Sequence, residues 1–152
     1  LSAPPHDPVF FIDRDLGSRT FPAILRAAGL RVEAHDDHFP DERSPAPDHV
    51  WLRLIAERRW IGVTHDARIR YTSRSRDELM RFGAQALILK GGASPQVLAE
   101  NFVRTYPRVL RFLRQNPEAL IAKIYRNDRD PAKGGRIEMW LSYRDWVKSA
   151  RT

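Results

Sequence analysis

The sequence predicts an α/β fold, with a mainly parallel central sheet, helices on both faces and a β-hairpin near the carboxyl end. Three observations carry this. Apolar runs stop abruptly at carboxylates, as in Phe10-Phe11-Ile12-Asp13-Arg14-Asp15 and Trp60-Ile61-Gly62-Val63-Thr64-His65-Asp66, and such runs read as buried strands. They alternate with segments of helical periodicity in the order β-α-β-α-β-α-β-α, the pattern of a parallel sheet with helical crossovers. The alternation then breaks, because 119–125 and 136–141 read as two strands joined by the turn-rich residues 127–135.

Residues 1–8 hold three prolines and no periodicity, so they read as a flexible arm. The first strand covers about 9–13. Phe21, Ile24, Leu25 and Ala28 recur at helical spacing, with Thr20 as cap and Gly29 as terminator. Leu30, Val32 and Ala34 alternate with polar residues as a second strand. Residues 36–47 are proline-rich and charged and read as a surface loop. Asp48 opens a helix with Trp51, Leu54 and Ile55 on one face, and a third strand follows at 60–64. Residues 67–74 look irregular. Ser75 and Glu78 form a capping box for a short helix reaching Phe82. Residues 86–89 make a fourth strand, and Gly91-Gly92 turns the chain toward a helix from Ser94-Pro95 to about Gln115, which Pro107 should kink or divide. Trp51, Trp60 and Phe82 read as core. With no repeat and no linker, residues 9–152 form a single domain, with 119–143 as its hairpin extension.

The chain has 152 residues, 42% of them hydrophobic, which suits one domain with its own core. There is no cysteine, which excludes disulfides, thiolate metal sites and a cysteine nucleophile, and fits a reducing, cytoplasmic setting. No apolar run approaches the ~18 residues that span a bilayer, and the first residues do not read as a signal peptide. The formal charge of +7 favours polyanions as partners.

Four acids stand where a parallel sheet presents the carboxyl ends of its strands, the usual ligand-binding rim. Asp13 and Asp15 follow the first strand, Asp48 opens a helix, and Asp66 follows the third strand. Converging carboxylates repel one another unless a cation lies between them, and hard divalent cations take oxygen ligands. A Mg²⁺-type ion held there could activate water and stabilise charge developing on a phosphate. Each acid also has a bland reading: Asp48 and Asp15 as caps, Asp66 as the holder of a tight turn.

The strings FFIDRDLG, HDDHFPDE, PDHVWL and WIGVTHDARIRY, in that order, resemble PIN-like nuclease domains, in particular the toxins of the VapC type, over about residues 9–126. The resemblance implies a three-layer α/β/α fold and Mg²⁺- or Mn²⁺-dependent endonucleolytic cleavage of RNA. It implies Asp13, Asp48 and Asp66 as metal-holding catalytic acids, with Asp15 in support. It also implies a bacterial cell and a cognate antitoxin partner. Relatives often dimerise, which leaves a homodimer open. The pattern departs from the family after Asp48, where His49 and Val50 replace further acids. A fourth ligand would have to come from Asp15, Asp37, Asp41 or Glu42.

Arg68, Arg70, Arg74 and Arg76, with Tyr71 among them, follow Asp66, and Arg14 lies between the first two acids. Arginine forks phosphate and an aromatic ring stacks on an unpaired base, so this group is a candidate RNA-binding flank. The alternative is a solvated loop paired with acids such as Asp77 and Glu78. Arg104, Arg108, Arg111 and Arg114 line one helix face, which reads foremost as solvated. The cluster His35-Asp36-Asp37-His38 is a poor metal site if extended, because neighbours then point to opposite faces. Two rival functions stay open. In a haloacid dehalogenase-type phosphatase, Asp13 would be nucleophile and Asp15 general acid, with Thr64 and Lys90 as further motifs. Its last acidic pair would have to be Asp128 and Asp130. The other rival is a PIN-like RNA- or protein-binding module without catalysis.

Overall fold

A computed structural model describes residues 7–40 and 47–150, with the backbone alone at Arg70 and Tyr71. The expected arm therefore falls almost wholly outside the described residues. The strands β1 (Val9–Ile12), β2 (Arg31–Ala34), β3 (Ile61–Thr64), β4 (Gln85–Leu89), β5 (Leu120–Tyr125) and β6 (Arg136–Ser142) form one sheet in the order β2-β1-β3-β4-β5-β6. The first five run parallel, and β6 closes the edge antiparallel to β5. The helices are α1 (Thr20–Ala27), α2 (His35–His38), α3 (Asp48–Arg58), α4 (Arg68–Tyr71), α5 (Ser73–Phe82), α6 (Pro95–Gln115) and α7 (Tyr143–Ala150).

Successive strand side chains point to opposite faces, and both faces are covered. Phe10, Ile12, Val63, Leu87, Leu89 and Ile124 pack with Phe21 and Leu25 of α1 and with Leu98, Phe102 and Val109 of α6. Phe11, Ala86, Ile88 and Ile121 pack on the other side, with Trp51, Leu52 and Ile55 of α3 and Leu79 and Met80 of α5. Phe10 and Phe11 are adjacent in sequence yet both fully buried, which only a sheet sandwiched between two helical layers permits. The expected three-layer α/β/α fold with a carboxyl-terminal hairpin is what forms. Gly62 brings α3 close to the sheet: a Cβ there would lie 3.1 Å from Ile55 Cδ1 and 3.3 Å from Trp51 Cζ3.

Several local expectations are corrected. Ser75 is not a helix cap; α5 begins two residues earlier, at Ser73, and the Ser75 hydroxyl is buried and used elsewhere. Residues 35–38 form a helical turn rather than extended chain, and 68–71 form another in the stretch expected to be irregular. Pro107 does not divide α6, which runs unbroken through it. Phe82 is 38% exposed rather than core. The helix α7 follows β6 directly and has no counterpart in the sequence reading. Among the described residues, no helix is long and apolar enough to cross a membrane.

Candidate active site

Strand parity sets the site. Asp13, one residue past β1, shares the face of Phe11, and Thr64 shares the face of Gly62. Both therefore project toward α3 and α5. The register Ile12↔Val63 continues one step further, because the Asp13 N–H donates to the Val63 carbonyl at 2.9 Å. The site opens where the chain runs from β1 to β2 on one side and from β3 to β4 on the other, the switch point at which open α/β sheets bind ligands.

Thr64 is buried and acts as the hub. Its hydroxyl donates to Asp13 Oδ2 at 2.8 Å, lies 3.3 Å from Asp15 Oδ2, and accepts the Asp66 N–H at 3.0 Å. One hydroxyl proton can serve only one carboxylate at a time. Asp15 depends instead on the His65 N–H, which donates to its Oδ2 at 3.1 Å. Asp13 also caps the short 3₁₀ turn Arg14–Leu16, accepting the Arg14 N–H at 2.7 Å. That turn swings Asp15 back across to β3.

Asp48 is the first residue of α3. Its two oxygens accept the Trp51 indole N–H at 3.1 Å and the Ser75 hydroxyl at 3.0 Å. Asp66 accepts the Arg68 backbone N–H at 2.9 Å, as an Asx turn does. The Arg68 guanidinium also forks its carboxylate, with Nη2 to Oδ2 at 2.6 Å. The bland reading of Asp66 as the holder of a tight turn is thus met, whereas Asp48 is not the cap of α3: Pro47 holds that position, and the Asp48 carboxylate accepts no backbone N–H of the helix.

Electrostatics tie the four acids together. Burial pushes the Asp13 carboxyl above its ordinary value, against the opposing hydrogen bonds from Thr64 and Arg14, and the nearby Asp48 charge adds to the rise. Burial, then the Asp13 charge, pushes Asp15 up to about 6, and Asp66 contributes a smaller push. Asp66 moves the other way, held down chiefly by its hydrogen bonds from Arg68. The charges of Asp66, Asp48 and Asp15 all favour the protonated Arg68 guanidinium. Asp13 and Asp15 thus meet at the Thr64 hydroxyl, and Asp48 and Asp66 bear on them through their charges.

Among the described residues, no group of three or more His, Asp or Glu side chains is preassembled as a metal cage. The donor chemistry nevertheless fits a hard cation. Asp13 and Asp15 are two carboxylates beside one hydroxyl, both raised chiefly by burial, with the Asp48 charge adding to the first and the Asp13 charge to the second, and a cation would relieve both. Mg²⁺ keeps several waters and takes only one or two carboxylates, so the cage need not be closed by protein. Of the acids considered as a fourth ligand, Asp15 is brought in. Asp37 is exposed and lies 3.9 Å from Arg26, and Asp41 and Glu42 lie outside the described residues.

The arginine flank is less uniform than its sequence suggests. Arg68 is exposed and engaged with Asp66. Arg74 pairs with Glu78 at 3.1 Å, and Arg76 lies 3.9 Å from Asp77. Arg14 is half-buried in the turn beside Asp13. The side chains of Arg70 and Tyr71 lie outside the described residues. The sequence reading missed the roles of Thr64 and Ser75. Thr64 could have been found by parity, since it stands two residues past Gly62 at the end of a buried strand. His65 gave no signal of its own; its Nε2 lies 2.8 Å from the Gly91 carbonyl oxygen.

Comparison with known proteins bears on this geometry. Residues 8–91, just over half of the chain, match the family model described as a PIN-like domain. The chain is 32% identical over 97 residues to a Mycobacterium tuberculosis protein named as a putative ribonuclease, VapC45; the alignment covers 63% of this chain and 68% of that protein. No solved structure matches it. All four acids fall within the stretch matched by the family model.

Proposed function

The chain belongs to the PIN-like domain family, and from that premise we propose that it is a metal-dependent endoribonuclease serving as the toxin of a bacterial toxin–antitoxin pair. The observation that carries this is the Asp13–Thr64–Asp15 cluster, with Asp48 and Asp66 in electrostatic reach, at the switch point of a parallel sheet. Its relative's name as a ribonuclease supports RNA as the substrate, and the toxin assignment rests on that relative's VapC name.

Asp13 and Asp15 would hold Mg²⁺ or Mn²⁺ directly, with Asp48 and Asp66 completing the negative field around it. When bound, the ion supplies Lewis acidity and a more acidic water for in-line attack on a phosphodiester. Thr64 and the His65 N–H fix the two carboxylates, which would then hold the ion without searching rotamers. Ser75 and Trp51 fix the orientation of the Asp48 carboxylate. Arg68, exposed and forked on Asp66, can exchange that carboxylate for a substrate phosphate, a group of matching geometry. An acidic antitoxin segment would suit the basic charge of the chain.

The phosphatase reading loses support here. Asp128 pairs with Arg126 at 3.1 Å and Asp130 lies 3.8 Å from Lys133, and neither is among the charges that shift Asp13. The deciding assay uses labelled RNA with Mn²⁺, with EDTA, and with Asp13→Asn. Internal cleavage only by the wild type with metal supports the proposal. Cleavage by the folded variant at the normal rate overturns the site assignment, and binding without cleavage by any form selects the non-catalytic reading.

A further inference from the structure

The carboxyl ends of β4 and β5 stand on the same rim as Asp13 and Thr64, and a series of contacts runs along it. His65 Nε2 lies 2.8 Å from the Gly91 carbonyl oxygen. Gly91 in turn lies against the Arg126 guanidinium, since a Cβ there would be 3.0 Å from Nη2. Arg126 opens the connection between β5 and β6. This connection walls a cleft of 490 Å³ lined by Arg108, Arg126, Asp128, Arg129, Lys133 and Arg136, together with backbone. Five cations line it with the single carboxylate of Asp128, while Lys133 also lies 3.8 Å from Asp130 and Arg136 3.6 Å from Glu138.

The cleft is held in shape. Arg108 Nη1 donates to the carbonyls of Lys133 at 2.9 Å and Gly135 at 2.7 Å, and the Gly135 N–H donates to Thr105 Oγ1 at 2.8 Å. A Cβ at Gly135 would overlap the Tyr125 carbonyl, so the loop sits directly on β5. Arg136 lies over the Tyr125 ring at 4.2 Å. Arg126 has a buried Nε without a hydrogen-bond partner among the described residues. Its Nη1 is met by the carboxylate of Asp128, a side chain 77% exposed. An exposed surface carboxylate on an otherwise cationic wall occupies the place that a phosphate would take.

We propose that this cleft is a phosphate-binding subsite for single-stranded RNA, holding the substrate a few nucleotides from the scissile bond; it rests on the ribonuclease reading above. Three inter-strand steps separate β1 from β5, roughly 14 Å at ~4.8 Å each. A strand bound at the carboxylates and running along the rim passes over Gly91 and reaches the cleft. That continuity favours RNA over an acidic protein segment, which would have no reason to follow the rim from the cutting site. The cleft-lining residues all lie beyond residue 91, outside the stretch matched by the family model.

The test uses the full chain carrying Arg129→Ala and Lys133→Ala together, both exposed and so without effect on the core, and separately Asp128→Asn. Binding of a fluorescein-labelled oligouridine long enough to span both regions is followed by anisotropy in EDTA over a range of salt. The double variant should bind roughly tenfold more weakly at low salt, with a slope of log K against log salt shallower by about 1.4, or ~0.7 per lost contact. Asp128→Asn should bind more tightly. With Mn²⁺, cleavage of a uridylyl dinucleotide, too short to reach the cleft, should be equal for wild type and double variant. Unchanged affinity and slope, or equal loss on the dinucleotide, would overturn the subsite. So would retained oligouridine affinity with weakened binding of a poly-glutamate peptide, which would assign the cleft to a protein partner. A wild type that binds oligouridine through these residues but cuts nothing would refute the enzyme while leaving the subsite standing.

Discussion

Replacing Asp15 with Asn should stabilise the metal-free protein, and the size of the gain follows from the site. The Asp15 carboxyl is raised from 3.8 to about 6 by burial and by the Asp13 charge. At ~1.36 kcal/mol per pKa unit the full shift is worth ~3 kcal/mol. Asp15 is exposed on one side, and solvent screening leaves about 1 kcal/mol of it as stability. The sign follows from the folded pKa lying above the unfolded one. The penalty is absent below 3.8, grows as pH rises from there to about 6, and is complete above. Asn keeps a carbonyl oxygen for the His65 N–H and carries no charge. Thermal melts in EDTA at about pH 7.5 should therefore place the variant ~3 °C above wild type, with the gap closing at about pH 4. Excess Mn²⁺ should reverse the order, because the wild type, with both carboxylates, gains more binding energy than the variant. A variant that melts at or below the wild type in EDTA near neutral pH would refute the reasoning, since it would mean that burial and the Asp13 charge together do not penalise the Asp15 carboxylate.

Three further outcomes follow from the same geometry. Asp13→Asn should leave the fold intact by circular dichroism and lower RNA cleavage by more than ~100-fold, the order seen when a charge-stabilising group is removed. Gly62→Ala should push α3 from the sheet through its 3.1 Å contact with Ile55 Cδ1, costing about 1–3 kcal/mol and displacing Asp48; adding Ile55→Val, which deletes that atom, should restore part of both stability and cleavage. Arg68→Ala should flatten the salt dependence of RNA binding by about 0.7 in slope if the arginine passes from Asp66 to a phosphate, and an unaltered slope would tie it to Asp66 alone.

Much of the fold was legible because burial on both sheet faces leaves a strong mark. Phe10-Phe11-Ile12 and Ile61-Gly62-Val63 are apolar without alternation, and each ends at a polar residue on the rim. Asp13 was placed for the same reason, since a carboxylate immediately after a buried run has the rim as its natural position; Asp48, which opens α3 after a loop, carries no such mark. What stayed hidden depends on contacts across the chain. Ser75 fits a capping box by spacing, yet its hydroxyl is drawn to Asp48, 27 residues away, and α5 starts earlier on Ser73 and Arg74. Thr64 looked like the end of a strand, and its role as a shared donor needs the pairing of β1 with β3. Helix α7 gave no separate signal because it continues β6 without a break residue. His35 looked like part of a metal cluster with His38, but the helical turn buries it against Phe11 and Phe39. Pro107 sits on the exposed side of α6, where one missing N–H is tolerated.

Crystals soaked in Mn²⁺ and measured at the manganese absorption edge test the carboxylate cluster most directly. The expected anomalous peak lies within bonding distance of Asp13 and Asp15, in the field of Asp48 and Asp66. A peak elsewhere, or none, in a preparation that cuts RNA with the same ion would show that these acids are not the metal centre.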